Sequence, residues 1–143
     1  MYNIAIVTSQ FNEPVTHKLT AGAKDFFNQV SEKINVSDYF KVPGAVELPL
    51  FCSRLAKTKK YDAILMLGAV IYGETDHYDY VCQQVSYGCQ QVALKYDIPV
   101  IFGILTCQTA DLAFARVGGE KGNKGFSCAK ALIETLDELA LIE

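Results

Sequence analysis

At 143 residues, half of them hydrophobic and a fifth charged, the chain can bury a core without metal or disulfide staples and has the composition of neither a disordered nor a fibrous protein. A formal net charge of −3 argues against nucleic acid as the main partner, because neutralising phosphates needs a basic face. Five cysteines, an odd set without C-x-x-C spacing, indicate neither a disulfide framework nor a zinc site. With no basic leader and no apolar run of membrane-spanning length, the expectation is a soluble cytoplasmic protein with buried thiols.

In chain order, the first apolar run is Ile4 to Val7, which predicts a strand covered on both faces. A helix follows, with Pro14 near its start and Val15, Leu19, Phe26 and Val30 at core-compatible spacing. Tyr39 to Val42 is a more polar strand suited to an edge. A second helix runs from about Glu47 to Lys57, its Pro49 tolerable only in the first turn; Lys57, Lys59 and Lys60 close it, where cations suit the dipole. Ala63 to Leu67 is a third strand. A long helix from about Tyr78 to Tyr96 stops before Ile98-Pro99, and Val100 to Leu105 is a fourth strand. The tail holds a short helix around Ala110 to Arg116 and a longer one from about Lys124 to Leu141, striped by Ala129, Leu132, Ile133, Leu136 and Leu139. Strict alternation of strand and helix predicts βαβ units: an α/β fold with a four-stranded parallel sheet and helices on both faces.

Ligands of such a sheet bind outside the carboxyl ends of its strands, so the segments after each run carry the functional expectations. Gly73-Glu74-Thr75 stands just ahead of the third helix, where backbone N–H groups and the dipole suit an anion; an ordinary glycine turn with Thr75 or Asp76 as N-cap fits the same residues. His77 at this rim is a candidate for proton transfer near neutral pH, although position alone fits a surface or capping role equally. His17 reads as a helical surface residue. Phe11 suits either a hydrophobic staple or an aromatic plate for a flat ligand, and Glu47 either a helix-end charge or a ligand contact. The segment from Ala115 to Gly125 is glycine-rich and charged, but Lys124 is followed by Gly125 and no strand precedes it, so it is no P-loop. It reads as a helix-to-helix connection or, through Arg116, as an anion site.

Five blocks stand in order: Phe11-Asn12; Val42-Pro43-Gly44-Ala45-x-Glu47-x-Pro49; Gly68-x-Val70-Ile71-x-Gly73-x-Thr75-x-His77-x-Asp79-Tyr80-Val81; Pro99-Val100-x-Phe102-Gly103; and Arg116-x-Gly118 with Gly122-Asn123-Lys124-Gly125. Together they resemble the lumazine synthase family across nearly the whole chain. The resemblance implies one flavodoxin-like domain over residues 1–143, a three-layer sandwich, and a transferase of riboflavin biosynthesis. That enzyme condenses 5-amino-6-(D-ribitylamino)uracil with 3,4-dihydroxy-2-butanone 4-phosphate, with no metal or redox cofactor. It implies that Phe11 stacks on the pyrimidine, that Ala45, Val46 and Glu47 line the ribityl site and Ala69, Val70 and Ile71 the ring site. Glu74 and Thr75 would hold the phosphate with help from Arg116, His77 would move protons, and Phe102 and Lys124 would complete the pocket. It further implies a homo-oligomer, a pentamer or a sixty-subunit shell, with sites shared between neighbouring subunits and an association with riboflavin synthase. Ala69 stands where the family often has Thr or Ser, Val46 where an aromatic is common, and Tyr72 where Arg is frequent.

Other readings of the same fold fit less well. A flavin carrier needs a glycine-rich phosphate loop after the first strand, and Thr8 to Pro14 has no glycine; a phosphoacceptor domain needs an acidic cluster there, and Thr8-Ser9-Gln10 has none.

Overall fold

The four apolar runs are strands in a computed structural model, which describes residues 1–142; Glu143, the final residue of the expected domain, lies outside the described residues. In chain order the elements are β1 (Tyr2–Ser9), α1 (Glu13–Gln29), β2 (Ile34–Val42), a 3₁₀ turn (Ala45–Glu47), α2 (Leu48–Lys57), β3 (Ala63–Ile71) and α3 (His77–Tyr96). They continue with β4 (Val100–Cys107), α4 (Ala110–Ala115), β5 (Val117–Gly119), β6 (Gly122–Asn123) and α5 (Lys124–Ala140). β1 to β4 form a parallel four-stranded sheet in the order β2-β1-β3-β4, and β5 and β6 form a small antiparallel ribbon of their own.

Alternation along the strands sorts side chains between two cores, as a two-residue period requires. Ile4, Ile6, Leu65, Leu67 and Leu105 face α1 and α5, where they meet Leu19, Phe26, Leu132 and Ile133. Ala5, Val7, Ile64, Met66 and Ile104 face α2 and α3, where they meet Leu48, Cys52, Val85 and Cys89. Burying each large aliphatic side chain contributes roughly 1.5–3 kcal/mol, which is why β1 and β3, covered on both sides, are almost continuously apolar. The more polar β2 is an edge, as its composition predicts, and its register with β1 slips between Ile4 and Ala5.

Strand lengths depart from the sequence reading. β3 continues through Ala69, Val70 and Ile71, which pair with Leu105, Thr106 and Cys107 of β4; these residues belong to the strand rather than to the segment after it. β2 starts at Ile34, several residues before its most apolar stretch. Backbone pairing sustains a strand beyond the point where its side chains stop being apolar, so composition understates its length.

Helix ends follow their local chemistry. Pro14 and Pro49 both lie in a first turn, where a missing N–H costs no intrahelical bond. Two glycines permit close approach of helices. A Cβ on Gly88 of α3 would fall 2.6 Å from the Pro49 side chain of α2, and one on Gly125 of α5 would fall 1.9 Å from the Leu19 carbonyl oxygen of α1.

Candidate active site

The carboxyl ends of β1 and β3 and the start of α3 surround a cleft of about 440 Å³. Its wall is Ala69, Val70 and Ile71 at the end of β3, with Val81 and Tyr78 from α3; Phe11 and Asn12 form one lip, Gly44, Ala45 and Val46 another, and Gly73, Thr75 and His77 the third. Most of the lining is apolar, with a few polar groups at the rim, which suits a flat organic ligand carrying polar substituents.

Each lip has a local cause. After β1 ends, the backbone N–H groups of Gln10 and Phe11 donate to the carbonyls of Val42 and Pro43, 2.8 and 3.0 Å, so the loop leaves the sheet beside β2. The Phe11 ring is 71% exposed: it is no staple packed under α1 but a free aromatic face at the cleft. At the second lip, the Glu47 carboxylate folds back to accept from the Gly44 N–H at 3.1 Å, which satisfies the start of the 3₁₀ turn. Glu47 itself is exposed and does not line the cleft. Ala69 is 3% exposed and its side chain belongs to the α1 and α5 core, so what it presents to the cleft is backbone.

The third lip opens α3. His77 is the first helical residue, exposed, and its backbone N–H donates to the Thr75 hydroxyl at 3.3 Å. Asp76 holds the N-cap position with no side-chain cap bond; the capping function expected of Thr75 or Asp76 falls to Thr75. Gly73 has no positive φ, and a Cβ added there would meet nothing within 4 Å, so neither backbone conformation nor packing demands glycine at this turn. Glu74 is exposed beside it and outside the cleft lining. Behind His77, the Tyr78 ring meets Tyr72 edge-on with centroids 5.6 Å apart. Burial, reinforced by the adjacent Cys82, raises the Tyr78 phenol above the ordinary tyrosine value, with Thr106 opposing.

Arg116, Lys121 and Lys124 line a separate groove of about 390 Å³ along the free edge of β4, with Thr106, Cys107 and Ser127. Arg116 Nη1 donates to the Leu112 carbonyl at 2.9 Å, which engages one of the five N–H donors of its guanidinium. Burial pushes the thiols of Cys107 and Cys128 up, while Arg116 and Lys124 respectively draw them back. Phe102 is half-buried against the α2 and α3 core rather than in either groove. Ala45, Val46, Phe11, Ala69, Val70, Ile71, Thr75 and His77 therefore come together in one cleft, Arg116 and Lys124 in another, and Glu47, Glu74 and Phe102 lie outside both linings.

Sequence reasoning assigned no part to Asn12, Gly44, Tyr78 and Val81 in the cleft. Asn12, Gly44 and Tyr78 each adjoin an assigned residue, so position one step along the chain is the available signal; Val81 lies one helical turn beyond His77 on α3, a spacing that only the helix reveals. A further hollow of about 220 Å³ lies between α1 and the ends of β1 and β2, lined by Thr8, His17, Thr20, Lys24 and Lys41 among others. His17 is exposed there, as expected of a surface position. Among the described residues no group of three or more His, Cys, Asp or Glu gathers to hold a metal ion, and no helix is long and apolar enough to cross a membrane.

A parallel α/β sheet whose strand ends carry an aromatic-lipped cleft, with a histidine on one rim and a cationic groove along the free edge, defines a small-molecule enzyme of the doubly wound class. Comparison with known proteins makes the class specific: the family model for 6,7-dimethyl-8-ribityllumazine synthase matches residues 1–140, and the chain belongs to that family. Proteins named 6,7-dimethyl-8-ribityllumazine synthase from Coxiella burnetii, strains Dugway 5J108-111 and CbuG_Q212, are each 54% identical over 142 residues, covering 99% of this chain and 94% of theirs. A de novo designed Rossmann fold protein superposes with a TM-score of 0.41 at 16% identity, covering 84% of this chain and 99% of that one, too loose a likeness to bear on the assignment.

Proposed function

We propose that the protein is a transferase of riboflavin biosynthesis that condenses 5-amino-6-(D-ribitylamino)uracil with 3,4-dihydroxy-2-butanone 4-phosphate, giving 6,7-dimethyl-8-ribityllumazine, inorganic phosphate and water. The observation that carries this reading is family membership over residues 1–140 at 54% identity to proteins of that name. The cleft supports the Phe11, β3 and Ala45-Val46 contacts: the pyrimidine stacks on Phe11, its ring edge meets the backbone of Ala69, Val70 and Ile71, and its ribityl chain runs along Ala45 and Val46 and on to Glu47 outside the lining. The phosphate of the second substrate sits at the Glu74-Thr75 turn ahead of α3, facing Arg116.

Condensation needs an amine to attack a carbonyl with loss of water, phosphate to leave, and a second amine to close the ring. Each step moves protons but none requires electrons from outside. His77 at the rim gives and takes those protons, which contributes about 10²–10⁴-fold. Holding the two substrates in register supplies much of the rest.

In this reading the chain works as a homo-oligomer, a pentamer or a sixty-subunit shell, and the β4 groove with Arg116 and Lys124, together with Phe102 outside its lining on the same strand, completes the cleft of a neighbouring subunit. The two grooves are separate within one chain, which supports a shared site. Tyr80, Tyr87 and Leu94 are each more than 60% exposed and stand seven residues apart along α3, one side of a helix that a neighbour would cover. Residues 1–143 form a single domain in this reading, association with riboflavin synthase is a further family expectation, and the compartment is the cytoplasm.

Incubating the purified protein with the two substrates tests the assignment. Lumazine and phosphate should appear together in equal amounts; a rate no higher than that of the uncatalysed mixture would refute it.

A further inference from the structure

We infer that Asn12 is a positioning residue for the pyrimidine: its amide pins the loop after β1 to the end of β3 and so sets the Phe11 ring over the cleft. The inference rests on the proposed role of Phe11 as the plate on which the pyrimidine stacks.

Asn12 occupies the N-cap of α1, where an asparagine side chain ordinarily accepts from the first turn of its own helix. Here it makes no such bond. The helix start is served instead by the Asn12 backbone carbonyl, which accepts from the N–H groups of Val15 and Thr16 at 2.9 and 3.1 Å. The side chain turns away and its Nδ2 donates to the Ala69 carbonyl, 57 residues distant in sequence, at 3.0 Å. That carbonyl needs a partner. The last β1–β3 pair is Thr8 with Leu67, so at Ala69 the strand that would have supplied a donor has ended, and the Asn12 amide takes its place.

Reaching it requires a left-handed backbone, φ 65° and ψ 43°, which asparagine tolerates better than most residues. Two other non-glycine residues among those described have positive φ, Lys59 and Asp97; both follow helix ends leading into the next strand, and Asn12 alone borders the cleft. The consequence falls on Phe11. Its ring is 71% exposed, so packing hardly holds it. Its place is set by its backbone, tied to Pro43 on the β2 side and, through Asn12, to Ala69 on the β3 side. Removing the amide frees one side of that mount.

The test is a double-mutant cycle on the assembled enzyme. Asn12→Gly keeps access to the left-handed backbone and removes the amide; Asn12→Asp keeps the side-chain volume, replaces the donor with an acceptor, and carries the test if the glycine variant does not fold. Calorimetric binding of the pyrimidine substrate, together with KM for both substrates, is read for each variant in wild-type and Phe11→Ala backgrounds. The expected result is a roughly fivefold loss of pyrimidine affinity, the worth of about one hydrogen bond, a change under about twofold in KM for the phosphate substrate, and no further loss when Phe11 is already alanine. A full additional loss in the Phe11→Ala background would mean that Asn12 acts independently of the ring and would overturn the inference, as would equal losses for both substrates or wild-type affinity in the variants. If Phe11→Ala alone leaves pyrimidine affinity intact, the plate role of Phe11 fails first and the inference falls with it.

Discussion

Arg116 is held at the end of α4 by one guanidinium nitrogen on the Leu112 carbonyl and lines the β4 groove with Lys121 and Lys124. A planar fork with donors to spare suits an oxyanion far better than an uncharged ring. Arg116→Ala is therefore expected to raise KM for the phosphate substrate at least tenfold and that for the pyrimidine less than threefold; steady-state kinetics with each substrate varied in turn would reveal equal losses if this role is misassigned. The thiols are a contrasting case. Burial pushes Cys89 up to about 11 and Cys52 higher still, and the thiolate is the form that reacts. Neither should be alkylated by iodoacetamide at neutral pH until the protein is denatured, and mass spectrometry of the native protein showing rapid labelling at Cys52 would contradict the packing described.

At this scale the sequence was legible wherever a residue's function sits in its own neighbourhood. His77 could be placed at the rim because a helix start beyond a buried strand is a local pattern, and Phe11 could be flagged because an aromatic in a polar loop is conspicuous. The Asn12 amide could not be read, since its partner is 57 residues away and its N-cap position offers an ordinary explanation. Glu47 carried two readings, and its bond to the Gly44 N–H gives the helix-end reading a concrete basis.

Among the elements, α5 owes its position to its first turn. The Asn123 side chain accepts from the Phe126 N–H at 3.1 Å and donates to the Lys18 carbonyl, also at 3.1 Å, so one residue caps α5 and ties it to α1. Gly125 completes the approach by having no side chain to strike the Leu19 carbonyl. The Asn123-Lys124-Gly125 segment thus has two structural members around Lys124. Gly125→Ala should push the helices apart and lower stability by about 2 kcal/mol or more, overpacking against backbone that cannot yield cheaply; a thermal melt unchanged from wild type would show that α5 can shift without loss. Element type was readable from periodicity here, as the stripe through Ala129, Leu132, Ile133 and Leu136 is fully buried while Leu139 is 39% exposed. The β5–β6 ribbon was not, being three residues paired with two. Gly118 takes φ 109° at the register shift inside β5 and Gly122 takes φ 78° where β6 begins, conformations that a glycine-rich string permits without announcing.

For the whole molecule, the decisive question is whether the cleft of one chain is completed by the β4 groove of another. A symmetric ring brings different surfaces of identical chains together, and it makes a quantitative prediction. His77→Ala and Arg116→Ala subunits, each impaired alone, should regain activity when coexpressed, because about a quarter of the sites in randomly mixed rings pair an intact His77 with an intact Arg116. Activity no greater than that of the two variants measured separately would place both halves of the site in one chain. Light scattering on the wild-type protein would give the size of the assembly directly, five subunits or sixty, and a monomer would contradict the oligomeric reading.

α1 and α5 cover the same face of the sheet although the bond between Asn123 and Lys18 spans 105 residues. On a ribosome adding roughly 5–20 residues per second, the strands that carry Leu65 and Leu105 are made before the helix that will shield them. A chain that folds as it emerges would hold out a greasy half-covered surface until that last helix arrives. Chaperone demand, and the risk of sticking to a sister chain at high expression, should therefore track how fast the segment after β4 is translated.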